Sequence, residues 1–375
     1  MLAHGPHTET QMTNKSISVL TTLYNHADFI QATLASALRQ TLAPDEIIVI
    51  DDASTDRSVN AAAEVTHPSI HLYAETVNLG GPNTMKGLSL CRGELIAILN
   101  SDDTWHDDKL RRQAAHLDEH PGCGAVFTHV RVMDEHGEPW KEGTSRHQSV
   151  FQVANRDRHK WLRHLFLKGN AFCASSALVR RECFDKLGPL DGRYAQLQDF
   201  DMWLRVLIAG YDVHVVQEKL TNYRVMRNGS NMSAGKPAAR ALYAFEYAKI
   251  LRHFWQIESV EELSTIFPEL PISRDANDSL ILFYLAMLAS RQPSIHHRLF
   301  ALETMSQWGG NLEAMHLAHQ CHGFTHAKYR DFLAAGPIAE MLERSLRGRI
   351  QAMASRVLPF HLQQRLKAYL LGGDG

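Results

Sequence analysis

The first part of the chain alternates between short apolar runs and segments whose apolar side chains recur at helical spacing. Four apolar runs have the length of β-strands: residues 16–22, 46–50, 70–73 and 94–99. Three segments between them are predicted as helices: residues 27–40, 56–64 and 84–91. Strands that are apolar along their whole length are typical of a sheet buried on both faces. The alternation therefore predicts an α/β fold with a mostly parallel central sheet.

The pattern becomes mixed beyond residue 125. It predicts three more strands and two more helices, at residues 125–133, 174–180, 213–216, 158–168 and 200–210. A stretch rich in Asn, Gly, Ser and Pro at residues 228–237 is typical of a linker, and the periodicity that follows is helical. We therefore expect three parts: a disordered tail at residues 1–15, an α/β domain at residues 16–235 and an all-helical C-terminal region at residues 236–375.

Composition narrows the class of protein. Hydrophobic residues make up 45% and charged residues 21%, which is an ordinary globular balance, and the net charge of -2 gives no indication of nucleic-acid binding. No apolar run approaches the ~18 residues that span a bilayer, and the first fifteen residues lack the apolar core of a secretory signal. Five widely spaced cysteines, an odd number, fit a reducing compartment. These features predict a cytoplasmic protein.

Polar residues follow three of the predicted strands at the point where each strand ends. The segments are TTLYN at residues 21–25, DDASTD at residues 51–56 and NSDDTW at residues 100–105. Ligands of open α/β sheets bind beyond the carboxyl ends of the strands, so these segments mark a candidate site. Clustered carboxylates repel one another unless a cation or hydrogen-bond donors bind there. Since no Gly-rich phosphate loop follows any strand, phosphates would have to be held through a metal ion.

Two acidic positions suggest chemistry. Asp102 and Asp103 form an adjacent pair after an apolar strand. Mg²⁺ and Mn²⁺ are held by one or two carboxylates together with phosphate oxygens of a substrate, although the same pair also fits a plain surface turn. Asp199 stands at the start of a predicted helix, where it is either a helix-capping residue or a general base. The residues alone leave both alternatives open at each position.

Taken together, five segments in fixed order resemble the family 2 glycosyltransferases. The segments are SVLTTLYNHADFIQATLASALRQT, EIIVIDDASTDRS, GELIAILNSDDTWHDDKLRRQ, GPLDGRYAQLQDFDMWLRV and LTNYRVMRNGSNMS, and they cover roughly residues 16 to 233. The resemblance implies a GT-A fold that binds a nucleotide-sugar donor and a divalent metal, Mg²⁺ or Mn²⁺. It also implies transfer with inversion at the anomeric carbon, from a UDP-sugar to a hydroxyl of a saccharide or lipid-linked saccharide, in bacterial surface polysaccharide synthesis.

The resemblance carries over to individual residues on the nucleotide side. Thr22, Tyr24 and Asn25 match the first nucleotide-contacting loop, and Asp52 matches the carboxylate that meets the nucleobase. The segment at residues 78–87 lacks an Arg that is common in the family. Lys86 is then either a cationic replacement in the donor site or a solvated helix lysine.

The remaining site residues carry over in the same way. Asp102 and Asp103 match the acidic pair of the metal site, the first near the ribose or nucleotide and the second on the metal. Asp199 matches the general base, and Tyr223 with Arg224 matches a motif that helps to close the donor site.

Two departures from the family concern charge. Met226 stands where many members have a His near the metal or diphosphate, so a His ligand is not expected there. Gln198 replaces a Glu that often precedes the base, which removes one like charge from the neighbourhood of Asp199 and should make Asp199 easier to ionise.

Two other function classes and one further partner stay open. A nucleotidyltransferase-like enzyme would carry a Gly-rich basic loop after the first strand, where this chain has TTLYNHADF, and a non-catalytic nucleotide-sugar binding protein would not need the acidic residues. A basic amphipathic pattern at residues 343–371 fits either peripheral contact with an anionic membrane or a terminal helix pair packed on its own domain. The oligomeric state is not predicted.

Overall fold

The structure is a computed structural model that describes residues 15–141, 146–226 and 237–335. Apart from Lys15 and Pro237, the predicted tail and linker lie outside the described residues, and so does the basic segment at residues 343–371. The chain divides into two compact units, Met1–Gln256 and Ile257–Gly375.

An eight-stranded mixed sheet forms the centre of the first unit in the described residues. Its strands are β1 Ile17–Leu23, β2 Glu46–Asp51, β3 Ile70–Ala74, β4 Leu95–Ile98, β5 Thr104–Trp105, β6 Cys123–Met133, β7 Leu178–Arg180 and β8 Asp212–Arg224. The spatial order is β3-β2-β1-β4-β7-β6-β8-β5. β1, β2, β3 and β4 pair in parallel, as do β6 and β8, while β7 is antiparallel to both of its neighbours and β5 is antiparallel to β8. The predicted α/β fold with a mostly parallel sheet is confirmed.

Helices connect these strands. They are α1 Ile30–Leu38, α2 Ser58–Ala63, α3 Gly81–Leu90, α4 Lys109–Glu119, α5 Arg146–Phe151, α6 Arg158–Lys168, α7 Arg181–Leu187, α8 Gln198–Ile208 and α9 Pro237–Ile250, with 3-10 helices at Ala174–Ser176 and Leu251–Gln256. The short α7 and the two-residue strand β5 were not predicted, because neither is long enough to show a period in the sequence.

The main core lies between the sheet and helices α1 and α4. Val19 and Leu23 of β1 pack in one cluster with Leu34 of α1 and Leu110 of α4, and all four are fully buried. Each such side chain contributes about 1.5–3 kcal/mol by leaving water. Helix α1 points its apolar side chains into this core. A buried polar side chain of the same helix donates hydrogen bonds to the loop between β4 and β5.

Two predicted strands have different bounds in the structure. The segment at residues 174–180 is a strand only over Leu178–Arg180, because residues Ala174–Ser176 form a 3-10 helix. The strand predicted at residues 213–216 continues to Arg224. Its middle is exposed and polar, and irregular pairing with β6 between Thr128 and Val130 breaks the simple alternation.

The second unit is helical in its described part. Its helices are α10 Val260–Ile266, α11 Ile281–Ser290, α12 Ile295–Trp308, α13 Leu312–His322 and α14 His326–Ala334, with a 3-10 helix at Asp278–Leu280. Phe283 packs its ring against Trp308 and Phe324, with centroid distances of 5.1 and 5.0 Å. The predicted helical C-terminal region is confirmed. None of the helices in the described residues is both long and apolar enough to span a bilayer.

The first unit extends to Gln256, beyond the domain boundary that the sequence predicts at residue 235. Helix α9 is tied to this unit because Tyr247 donates a hydrogen bond from Oη to the carbonyl of Leu165, at 2.9 Å. The Tyr247 ring also packs on Phe200 of α8, with a centroid distance of 5.0 Å. The helical content of residues 237–256 concealed this attachment, because periodicity does not say what a helix packs against.

Candidate active site

The loops after β1 and β2 are bound to each other. Asn25 has a φ of 53° and Ala53 a φ of 59°, which are left-handed conformations that non-glycine residues rarely adopt. The N–H of Asn25 donates to Ser54 Oγ at 2.9 Å, and Asn25 Oδ1 accepts from the N–H of Thr55 at 2.8 Å. Asn25 therefore fixes the distance between two loops that the sequence predicts to contact the nucleotide.

The other two residues predicted in the first loop lie beside this junction. Tyr24 is 44% exposed, so its ring is accessible to a ligand. Thr22 is partly buried within β1.

Asp52 is held by the start of α3. Its Oδ1 accepts the N–H of Leu79 at 2.8 Å, its Oδ2 accepts the N–H of Gly80 at 2.9 Å, and the amide of Asn83 also donates to it. Gly80 has a φ of 62°, which favours glycine at this turn. The side chain that the sequence assigns to the nucleobase thus also fixes the third loop of the site.

Lys86 is paired within the chain. Its Nζ lies 2.5 Å from Glu75 Oε1, and the Lys86 side chain is 52% exposed. Of the two interpretations of Lys86, the solvated helix lysine describes this arrangement better. An exposed pair of this kind contributes little to stability.

Asp102 and Asp103 have opposite surroundings. Asp103 has no exposed surface; its Oδ2 accepts from Ser175 Oγ at 2.5 Å, and its Oδ1 accepts the N–H of Arg224 at 2.8 Å. Asp102 is partly exposed, and its carboxylate accepts no hydrogen bond from another residue in the part of the chain that the structure describes. Burial raises the pKa of both carboxyls, and the neighbouring Asp102 raises that of Asp103 further.

Helix α1 braces the acidic loop through side chains that the sequence analysis missed. Thr33 Oγ1 donates to the carbonyls of Ser101 and Asp103, at 3.0 and 2.8 Å. The N–H of Trp105 donates to Ser36 Oγ at 3.1 Å. Thr33 and Ser36 are completely buried polar residues on the apolar face of an amphipathic helix. Polar residues at positions that the helical pattern assigns to the apolar face are the feature of the sequence that could have indicated these contacts.

The side chain of Arg224 donates hydrogen bonds to backbone carbonyls. Its Nε donates to the carbonyl of Asp102 at 2.7 Å, and its NH1 donates to the carbonyls of Asp134 and Glu135 at 2.8 and 3.1 Å. The guanidinium lies over the Phe29 ring, 4.6 Å from its centroid. The residue predicted to close the donor site therefore holds the acidic loop to the end of β8.

Asp199 lies in the first turn of α8 and is partly exposed. Its Oδ2 accepts from Asn170 Nδ2 at 2.8 Å, a partner that the sequence analysis did not find. Burial raises the pKa of Asp199 to about 6, although hydrogen bonds from the Phe200 N–H and from Asn170 oppose the shift. A carboxyl with a pKa near 6 is ionised at neutral pH and is still a useful proton acceptor.

The acidic residues of the loop after β4 and of α8 affect the pKa of the same buried side chain, Tyr223. Burial raises the pKa of Tyr223, and the negative charges of Asp103, Asp102 and Asp199 raise it further. The buried thiol of Cys173 also has a raised pKa, chiefly from burial and then from Asp103 and Asp199. Since Coulomb interactions weaken with distance, the three carboxylates lie near the buried Tyr223 side chain, and the region that they border is the candidate cleft.

The donor atoms in this cleft fit a hard divalent cation. In the described residues no three His, Cys, Asp or Glu side chains form a complete metal site. Asp102 nevertheless offers a carboxylate that accepts no hydrogen bond from another described residue, beside a second carboxylate whose two oxygens each accept one. Such a site suits Mg²⁺ or Mn²⁺, which take the rest of their ligands from phosphate and water.

The sequence of the sheet domain decides its family. Residues 18–188 match the model of glycosyl transferase family 2. Residues 18–188 form a glycosyltransferase family 2 domain. The family assignment from the five sequence segments is confirmed, and so is the prediction of a glycosyltransferase enzyme.

Two relatives are bacterial family members. The chain is 28% identical over 242 residues to the putative teichuronic acid biosynthesis glycosyltransferase TuaG of Bacillus subtilis, covering 64% of this chain and 90% of TuaG. It is 23% identical over 248 residues to the amylovoran biosynthesis glycosyltransferase AmsB of Erwinia amylovora, covering 64% of this chain and 79% of AmsB.

A solved structure shows the fold of this family 2 enzyme. The crystal structure of S. aureus TarS 1-349 superposes with a TM-score of 0.50 and 15% sequence identity, over 85% of this chain and 89% of that chain. At this level of identity the similarity establishes the GT-A-type fold and nothing about the substrate.

Proposed function

We propose that this family 2 glycosyltransferase transfers a sugar from a nucleotide diphosphate sugar to a hydroxyl of a saccharide or lipid-linked saccharide, with inversion. One observation carries the proposal: a partly exposed carboxylate with a pKa of about 6, Asp199, lies near the same buried side chain, Tyr223, as the acidic pair Asp102 and Asp103. A role in bacterial surface polysaccharide synthesis is supported by the names of TuaG and AmsB. Cytoplasmic location and membrane contact through residues 343–371 stay predictions from the sequence.

Asp199 is the proposed general base. It would accept the proton of the acceptor hydroxyl while that oxygen forms a bond to the anomeric carbon from the face opposite the diphosphate. The bond between the anomeric carbon and the phosphate oxygen breaks, and the nucleoside diphosphate leaves with the electron pair. Asn170 donates to Asp199 Oδ2 at 2.8 Å and so anchors one carboxylate oxygen, and the other is the proposed proton acceptor.

We assign the two members of the acidic pair different roles from those that the resemblance implies. Asp102 is the proposed metal ligand, because its carboxylate is partly exposed and lacks a donor among the described residues. Asp103 is the proposed positioning residue, because both of its oxygens are occupied by Ser175 and Arg224. A bound Mg²⁺ or Mn²⁺ would neutralise the charge that develops on the leaving diphosphate.

The loops after β1 and β2 would hold the nucleotide. The exposed ring of Tyr24 provides a surface for the nucleobase, and Asn25 fixes the two loops against each other. Asp52 keeps the start of α3 beside them and retains lone pairs for a base N–H. A UDP-sugar is the donor that we propose on this basis.

A donor panel tests the proposal. The full-length protein is heated with UDP-, GDP-, ADP- and dTDP-sugars, each with Mn²⁺, with Mg²⁺ or with EDTA, and the unfolding temperature is recorded. A ligand that binds only the folded protein raises that temperature, so one UDP-sugar should stand out, and only with metal. The product anomer, determined by NMR after transfer, tests inversion. A panel without any shift, or a product that retains the donor configuration, contradicts the proposal.

A further inference from the structure

A buried glutamate on α9 binds the segment that leads into the proposed base. Glu246 is 2% exposed. Its Oε1 accepts the N–H of Ala195 at 2.7 Å, and its Oε2 accepts the N–H groups of Gln196 and Leu197 at 3.0 and 3.1 Å. Three consecutive backbone donors therefore end on one carboxylate from a helix about fifty residues later in the chain.

This arrangement holds the residues that lead into α8, because the three N–H groups belong to the N-cap position and to the two residues before it. Leu197 is the N-cap residue, and its side chain cannot accept a hydrogen bond. The N-terminus of a helix has unsatisfied N–H groups and a positive end, which a carboxylate stabilises. Glu246 supplies that carboxylate from outside the segment, so the position of the first turn of α8 depends on α9. Asp199 is in that first turn.

The preceding loop is also held at its other end. A Cβ built on Gly81 of α3 would lie 2.5 Å from Gly192 Cα, so the backbones of α3 and of this loop touch. The loop therefore runs from a close contact with the nucleotide side of the cleft, at Gly192, to the carboxylate of Glu246. Both contacts precede Asp199 in the chain, and together they fix the segment that leads into it.

We propose that Glu246 is a positioning residue that fixes Asp199 at the acceptor side of the cleft by capping the segment at residues 195–197. The inference rests on the proposed function, in which Asp199 is the base. Displacement of a reacting group by about 1 Å can lower a rate by roughly 100-fold. Loss of the cap should therefore lower kcat by roughly 10- to 100-fold, while donor binding on the β1 and β2 loops is unchanged.

The test compares Glu246→Ala and Glu246→Gln with the wild type, in full-length protein. Gln keeps the shape and one acceptor oxygen, so its loss of kcat should be smaller than that of Ala. Asn155→Ala is the matched control, because Asn155 also bridges two elements through hydrogen bonds to the backbone of Val215 but contacts none of the carboxylates. The control should lower the unfolding temperature without changing kcat.

Two readouts separate positioning from general loosening. The first is a double-variant comparison: if Glu246 acts through Asp199, adding Glu246→Gln to Asp199→Asn should not slow residual transfer further. The second is the acid limb of the kcat/KM profile against pH. A loosened first turn admits water to Asp199, so the limb should move from about pH 6 toward the ordinary value of 3.8.

The outcomes distinguish the inference from the function on which it depends. A folded Glu246→Ala variant with wild-type kcat and an unmoved acid limb overturns the positioning role and leaves the base assignment intact. The same holds if Glu246→Gln slows wild type and Asp199→Asn by equal factors. If Asp199→Asn itself transfers sugar at the wild-type rate, the base assignment fails first.

Discussion

The carboxylates of the candidate site have different surroundings in its two parts. The loops after β1, β2 and β4 form the proposed nucleotide side, and the start of α8 forms the proposed base side. On the nucleotide side, Asp52 and Asp103 each accept hydrogen bonds on both oxygens, and they hold loops together. On the base side, Asp199 has one side-chain partner, Asn170, and burial raises its pKa to about 6. The acidic residues on the nucleotide side thus join separate loops, whereas Asp199 accepts from Asn170 and from the N–H of the next residue, Phe200. Asp102 also lies on the nucleotide side, but its carboxylate accepts no hydrogen bond from another described residue.

The largest expected effect comes from the base itself. Asp199→Asn should lower kcat by roughly 10²- to 10⁴-fold, because a general base contributes that much and an amide cannot accept the proton. Donor affinity, measured by the thermal shift with the preferred nucleotide sugar and metal, should stay within about twofold. A variant that transfers sugar normally would show that Asp199 is not the reacting carboxylate.

The second effect concerns metal and leaving group. Asp102→Asn should lower kcat/KM by roughly 100-fold, since loss of a charged ligand weakens the stabilisation of the departing diphosphate. Raising the Mn²⁺ concentration should restore part of that loss, while the unfolding temperature without ligand should change little. Activity that does not depend on the Mn²⁺ concentration in this variant would contradict the assignment of Asp102.

Asp103→Asn sharpens the contrast within the acidic pair. Its amide group would face a donor, either Ser175 Oγ or the N–H of Arg224, and a buried unsatisfied donor costs about 1–3 kcal/mol. We expect a lower free energy of unfolding in urea. Equal stability of the two variants Asp102→Asn and Asp103→Asn would remove the distinction between ligand and positioning residue.

The smallest effect is a stabilisation. Asp199 has a folded pKa of about 6 against an ordinary value of 3.8, so the folded protein favours the protonated form. Stability linked to this group is fully present below pH 4 and is lost as pH rises through about 6. Asp199→Asn, which cannot ionise, should therefore be more stable than the wild type above pH 6, by about 1–3 kcal/mol, and equal to it near pH 4. Urea unfolding at both pH values measures this, and a constant difference between them would mean that folding does not raise the pKa of Asp199.

The sequence predicts much of the nucleotide side because its signals are local. The four parallel strands are found within one or two residues, and helix α6 has the predicted bounds Arg158–Lys168. Each of these elements carries a period or an apolar run that depends only on its own residues. The acidic loop after β4 stands out for the same reason, since carboxylates follow directly on a buried strand.

The supports of the site were not predicted, because each joins distant parts of the chain through an ordinary residue. Thr33 and Ser175 reach the acidic loop from α1 and from a 3-10 helix, and Glu246 reaches α8 from α9. The sequence around a Thr, a Ser or a Glu in a helical pattern does not show which distant residue that side chain contacts. The different surroundings of Asp102 and Asp103 were not predicted either, because adjacent identical residues differ only in the direction in which their side chains point.

The hydrogen bond between the Asp103 carboxylate and the N–H of Arg224 has a consequence for how the enzyme unfolds. This amide sits at the last residue of β8, where strand ends ordinarily fray, yet its acceptor has no exposed surface. Its deuterium uptake should therefore follow whole-domain opening rather than local fraying, so that the acidic loop after β4 and the strand end keep or lose their order as a single cooperative unit.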